Sequence, residues 1–158
     1  MKNSSHESFA VESLYHSLLS AWNAQDAKAM AACFTDDAHL VGFDGSEVDG
    51  RAAIESHLAP IFARHPTPLY VGKIRTIRWL AGETALVHAV AGMVPRGKSE
   101  LNPALNATQT LLIKRHDERW LIELFQNTPA AYHGRPEAVE ALTQELREVL
   151  RSAEPGII

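Results

Sequence analysis

A chain of 158 residues with one cysteine and a formal net charge of -4 has the size of a single ordinary domain, able to bury a core without disulfides or a structural metal. Its Lys and Arg residues are scattered, leaving no electrostatic footprint for nucleic acid or an anionic membrane. The lone thiol, Cys33, excludes an internal disulfide framework. No apolar run reaches membrane-spanning length, and the polar opening MKNSSHESFAVES lacks the apolar core of a signal peptide, so a cytoplasmic setting is the expectation. Eight histidines are present, but no close pair has the spacing of a metal motif such as HExxH, and no metal is expected.

From about residue 5 to 22 the apolar residues Leu14, Leu18 and Trp22 recur at four-residue spacing, with Val11, Tyr15 and Leu19 beside them, which predicts an amphipathic helix. Asp26 is placed to cap a short second helix over residues 27–34. Trp22 and Phe34 are expected to point into one interior, either as plain core or as ligand contacts. Thr35-Asp36-Asp37 reads as a turn. After it His39, Val41 and Phe43 alternate with Ala38, Leu40 and Gly42 along a strand. Asp44-Gly45 then turns the chain into a short return strand, residues 46–48.

A third helix is predicted over residues 51 to about 64, launched by Asp49-Gly50 and stopped before Pro66. Ile54, His57, Leu58 and Ile61 share one stripe of it, which puts His57 on the buried face. An imidazole there needs a hydrogen-bond partner. It is either a satisfied core histidine or a pocket group able to act as acid, base or donor. Two strands follow, residues 69–80 with Tyr70, and residues 84–94, separated by Gly82-Glu83. Ala85, Val87, Ala89, Ala91 and Met93 give the second strand an apolar face of mostly small residues, which leaves room for something. The opposite face carries Leu86, His88 and Val90, a surface that another subunit would cover. Residues 95–106 are a polar, Pro- and Gly-containing loop, either a plain connection or a flap over a pocket mouth.

Residues 107–115 and 119–128 form a long antiparallel hairpin around Asp117-Glu118. Alternation puts Trp120, Ile122, Leu124 and Gln126 on one face of its second strand and Leu121, Glu123, Phe125 and Asn127 on the other. With Gln109, Leu111 and Ile113 on the first strand, the apolar faces would line a concavity with Gln109 and Gln126 at its mouth, the usual form of a small-molecule site. The alternative is that these amides satisfy neighbouring backbone groups. A final helix from Pro136 carries Val139, Leu142, Leu146, Val149 and Leu150 in one apolar stripe that must be buried on its own domain or on a partner.

This order of elements predicts an α+β domain, a curved, mainly antiparallel sheet folded over a helix layer. The runs WNAQDAKAMAACFTDDAHLVG, GRAAIESHLAPIF and TQTLLIKRHDERWLIELFQNTP, in that order and spacing, resemble the SnoaL-like branch of the nuclear transport factor 2-like superfamily. More narrowly they resemble the small SgcJ/EcaC-type proteins of natural-product gene clusters. The resemblance covers about residues 8 to 130, so residues 1–130 are read as the cone domain and 131–158 as an added helix and tail of the same unit. It implies a cone-shaped barrel with a deep pocket, paired as a homodimer through the sheet's outer face. It implies less about chemistry, because the superfamily holds cyclases, isomerases, dehydratases and silent binders alike. No GxGxxG fingerprint or other cofactor motif supports the oxidoreductase label of the SgcJ/EcaC type, and no cofactor is expected.

Two functions remain open. One is a cofactor-free enzyme moving a proton on a polyketide-like or other apolar carbonyl compound, as a cyclase or isomerase does. Its base would be His39 or His57, with Asp37 as an orienting carboxylate, and its donors Tyr70, Gln109, Gln126 or Asn127. Trp22, Phe34, Val41, Phe62 and Met93 would supply the apolar walls. The other is a non-catalytic carrier of a hydrophobic metabolite using the same residues. No strand carboxylate falls on an evidently inward face, Glu123 lying opposite Trp120 and Ile122, so the base of the enzyme would have to be histidine.

Overall fold

The computed structural model describes residues 5–152; the first four residues and the tail after Ser152 lie outside the described residues. In chain order the elements are α1 (Ser5–Asn23), α2 (Ala27–Ala31), β1 (Phe34–Val41), β2 (Glu47–Asp49), α3 (Arg51–Arg64), β3 (Leu69–Leu80), β4 (Thr84–Val94), a 3-10 turn (Pro103–Leu105), β5 (Ala107–His116), β6 (Arg119–Pro129) and α4 (Pro136–Ser152). The strands make one sheet in the order β2-β1-β6-β5-β4-β3. Only β1 and β6 run parallel. This is the α+β, mainly antiparallel architecture that the element order predicts.

Two β-bulges bend the sheet, and each also changes which side chains face inward. On β3 the register steps from Ile74 opposite Ala89 to Thr76 opposite His88, leaving Arg75 as the extra residue. Tyr70 and Ile74 thus share the inner face with Ile77 and Trp79, all packed against the main core. On β6 it steps from Ile122 opposite Ile113 to Leu124 opposite Leu112, leaving Glu123 extra. Beyond that point the alternation is inverted: Phe125 and Asn127 are buried, and Gln126 is exposed. Simple alternation carried through residues 120–126 therefore puts the wrong amide inside.

The segment Thr35-Asp36-Asp37 belongs to β1 rather than to a turn, and the second helix stops at Ala31, before Phe34. Its turn chemistry still has a consequence. Pairing of β1 with β6 is interrupted between Phe34 and His39, so the acidic pair sits where the ladder is broken and both aspartates stay in water. The arginine that opens α3, Arg51, fastens the place, donating to the Phe34 carbonyl at 3.0 Å and to Asp36 Oδ1 at 2.5 Å.

The main core lies between the concave face of the sheet and α1, α2 and α3, with Val11, Tyr15, Leu18, Phe34, Ile54, Leu111, Ile113 and Ile122 all fully buried. α1 reaches β3 at Gly72, where a Cβ would stand 2.6 Å from Leu19 Cδ1; a bare backbone is what lets helix and strand approach.

The opposite face of β3 and β4 is not left for a partner alone. α4 lies over it in cis, with Leu142 and Leu146 packed on Val71, Val90, Val94, Leu101 and Ala130. At about 1.5–3 kcal/mol for each large side chain taken from water, these two leucines alone hold the helix against ordinary fraying. Gly92 leaves room for it, since a Cβ there would lie 2.9 Å from Leu146 Cδ1. Glu145 completes the seam with Arg75 at 2.6 Å and Lys73 at 3.2 Å. Val90, read with Leu86 and His88 as a surface for another subunit, is covered by the chain's own helix, whereas Leu86 is half-buried and His88 exposed.

Candidate functional site

Where α1, α2 and α3 diverge from the sheet, a cavity of about 310 Å³ remains. Trp22 of α1, Met30 of α2 and Leu58 and Ile61 of α3 form its helical side. Leu40, Tyr70, Met93, Phe125 and Asn127 project from the strands, and Leu105 closes one flank from the 3-10 turn. The remaining wall is the tip of the β1–β2 hairpin, with Gly42, Phe43, Asp44 and Ser46, facing His57 of α3.

Two of the wall's aromatics, Trp22 and Tyr70, have a second anchor. Trp22 donates its indole N–H to the Pro68 carbonyl at 2.8 Å and meets Phe62 edge-on at 5.2 Å and Tyr70 at 5.3 Å. Tyr70 is pinned through its backbone by Asn23, which accepts from its N–H at 2.7 Å and donates to its carbonyl at 3.1 Å.

Behind the inner wall runs a chain of buried polar groups. Tyr15 Oη donates to Gln109 Oε1 at 2.6 Å, Gln109 Nε2 to Asn127 Oδ1 at 3.2 Å, and Asn127 Nδ2 to Tyr70 Oη at 3.0 Å. Every link is neutral, which is how buried polar groups avoid a desolvation penalty. The Tyr70 hydroxyl proton has no acceptor among the described residues, so this chain can offer it to the cavity that Tyr70 lines. Burial pushes the Tyr70 hydroxyl up to about 12, the Asn127 hydrogen bond opposing part of the rise, so it remains a neutral donor at physiological pH.

The mouth has a different character. His57 and Asp44 both border the cavity, and both are exposed. Asp44 Oδ1 accepts from Ser46 N at 2.9 Å. That hydrogen bond, with a smaller contribution from the charge of His57, holds the Asp44 carboxyl below the usual carboxylate value.

The residues singled out from the sequence divide accordingly. Trp22, Tyr70, Met93, Asn127 and His57 border the cavity. His57, however, sits on the flank of the α3 stripe and not within it: Ile54 and Leu58 are buried while the imidazole is exposed at the rim. Gln109 is buried one link behind Asn127, and Phe62 stands behind Trp22. Phe34 is core. Val41 is half-buried on the strand face turned away from Leu40, and Gln126 is exposed beyond the bulge at Glu123.

His39 is not in the cavity at all. On β1 it is Ala38 and Leu40 that enter the core, so His39 faces outward and is held by Asp49 at 2.5 Å and Glu47 at 3.0 Å. Asp37 is exposed, its carboxylate accepting from Thr35 Oγ1 at 3.4 Å, and among the described residues it has no histidine to orient. Glu123 points to His116 at 3.6 Å and Lys114 at 4.0 Å, leaving Asp44 as the carboxylate at the cavity.

The hairpin tip, Phe125 and Tyr15 were not read from the sequence as site residues. Only the Glu123 interruption of an apolar run hinted that Phe125 and Asn127 face inward. No group of three or more His, Cys, Asp or Glu side chains among the described residues is placed to hold a metal ion. None of the described helices is long and apolar enough to cross a membrane.

Residues 11–132 match the family of SnoaL-like domains. The chain belongs to that family. The SnoaL-like fold is also that of solved structures of low sequence identity. A domain of unknown function with a cystatin-like fold from Nostoc punctiforme PCC 73102 has 20% identity over 95% of this chain and 100% of its own, with a TM-score of 0.78. A nuclear transport factor 2-like protein of unknown function from Shewanella oneidensis MR-1 has 19% identity over 77% of this chain and 98% of its own, at 0.60. A protein from Novosphingobium aromaticivorans DSM 12444, provisionally assigned as a scytalone dehydratase, has 16% identity over 78% of this chain and 84% of its own, at 0.65. No curated protein matches the sequence.

Proposed function

We propose that this SnoaL-like protein is a cofactor-free enzyme of the cyclase or isomerase type, moving a proton on an apolar, polyketide-like carbonyl compound in the cytoplasm. The observation that carries this reading is the pairing, around one apolar cavity, of a neutral donor at the inner wall, Tyr70, with a titratable base at the mouth, His57. A carbonyl oxygen accepting from Tyr70 becomes more acidic at the adjacent carbon, and its enolate is stabilised where the charge develops. His57 takes the proton and returns it elsewhere. Asp44 borders the same mouth and feels the charge of His57. The provisional scytalone dehydratase among the fold's solved structures is in keeping with small-molecule chemistry in such a cone.

The exposure of His57 favours a second reading, a carrier that shields a hydrophobic metabolite. Solvent deuterium exchange at the carbon next to the carbonyl of an apolar ketone separates them. Enzyme-dependent exchange that falls about a hundredfold in His57→Ala, as expected for loss of a general base, supports the enzyme. Binding without exchange, and with unchanged affinity in that variant, assigns the carrier.

We also propose a homodimer through the part of the outer sheet face that α4 leaves open, where Leu86, Leu112 and Leu124 are half-buried. Leu112→Glu should convert it to monomer in sedimentation equilibrium, and a wild-type chain that is already monomeric rules the pairing out.

A further inference from the structure

The polar chain behind the cavity can be drawn in two directions, which leave different protons without an acceptor. Run outward from Tyr15, through Gln109 and Asn127 at 2.6, 3.2 and 3.0 Å, the surplus proton is that of Tyr70. Run inward, with both carboxamides turned over, Tyr70 donates to Asn127 and the surplus proton is that of Tyr15. Tyr15 is 0% exposed, and an unpaired hydroxyl donor there would carry the whole penalty of a buried, unmade hydrogen bond. Tyr70 borders the cavity, where a ligand oxygen can take its proton. The outward direction therefore wins, and it is the far tyrosine that decides it.

We infer that Tyr15, which does not border the cavity, sets the direction of this chain and so makes the cavity select small ring compounds that present an acceptor oxygen, a ketone or enolate, to Tyr70. This rests on reading the cavity as a small-molecule site. A volume of about 310 Å³ lies at the small end of the range for ligand pockets, roughly 300–1,000 Å³, which suits a body of one or two rings lying against Trp22 and Phe125. Tyr15 is a positioning residue. Without its hydroxyl nothing distinguishes the two directions, and Tyr70 can satisfy itself by donating to Asn127 Oδ1, presenting lone pairs where it presented a proton.

The test uses the full chain and two bicyclic probes of nearly equal shape, tetralone, which carries a ketone, and tetralin, which does not. Affinities are measured by calorimetry and the carbonyl stretch of bound tetralone by infrared difference spectroscopy. In the wild type the stretch should move to the low-frequency, hydrogen-bonded position. In Tyr70→Phe it should return to its free position, and the tetralone-to-tetralin affinity ratio should fall about fivefold, the size of one net hydrogen bond. Tyr15→Phe should reproduce most of both changes while tetralin affinity stays constant, which reports an intact cavity. Gln109→Met cuts the same chain one link nearer and gives a second, independent reading of both changes.

An unshifted wild-type stretch, or wild-type ratio and stretch in the Tyr15 and Gln109 variants with loss only in Tyr70→Phe, overturns the inference and leaves the small-molecule reading standing. Failure of both probes to bind at all overturns the two together.

Discussion

The two ends of the cavity solve the problem of placing polar groups beside apolar walls in opposite ways. At the inner end Tyr15, Gln109, Asn127 and Tyr70 are buried, neutral and bonded to one another in series, so no member can change without stranding a neighbour. At the mouth His57 and Asp44 lie exposed to water and depend on little else. The lesson is a division of labour: geometry is fixed where solvent is absent, and titratable groups are kept where it is present.

That contrast can be broken most severely from the inside. Gln109→Leu removes the acceptor of Tyr15 and the donor of Asn127 together, and two stranded buried groups should cost about 3 kcal/mol of unfolding free energy, read from urea denaturation. His57→Ala and Asp44→Ala should each stay within about 0.5 kcal/mol of wild type, the usual range for surface changes. Equal losses at both ends would erase the distinction. The smallest effect belongs to the outer wall of the mouth. His39 bridges Asp49 and Glu47 across the hairpin whose tip lines the cavity, and the hydrogen bond to Asp49 raises its pKa above the ordinary 6.5, with Glu47 adding to the rise. A raised folded value means the stabilisation is complete below pH 6.5 and is lost as pH rises through the higher folded value. Amide exchange in residues 42–48 should therefore quicken above that pH in wild type and be pH-independent, beyond its chemical rate, in His39→Gln.

Much of this architecture is legible in the sequence where local punctuation is strong. β3 and β4 run over the residues expected of them because Pro68, Gly82 and Pro95 bound them, and the stripe of α4 names the two leucines it buries, Leu142 and Leu146, though not Thr143. The cavity was legible only in part. Strand alternation predicts facing correctly until a bulge intervenes, and a bulge is settled by pairing across the sheet: Glu123 is extra only because Ile113 and Leu112 choose Ile122 and Leu124. One inserted residue exchanges Gln126 for Asn127 at the inner wall. His39 was misplaced for a related reason, since alternation along β1 gives two faces but not which of them meets the helices. Tyr15 reads from sequence as one more helix residue, its partner Gln109 being 94 positions away.

The seat of α4 carries a further consequence. Because the strand beneath Leu146 has only a hydrogen where a side chain would stand, the seat of the helix and the bald spot at Gly92 depend on each other. A homologue that keeps such an extension but carries a large side chain at this place would have to shift it, and one that has lost the extension is free to fill the gap. Reading that single column across the family would therefore sort clasped members from open ones.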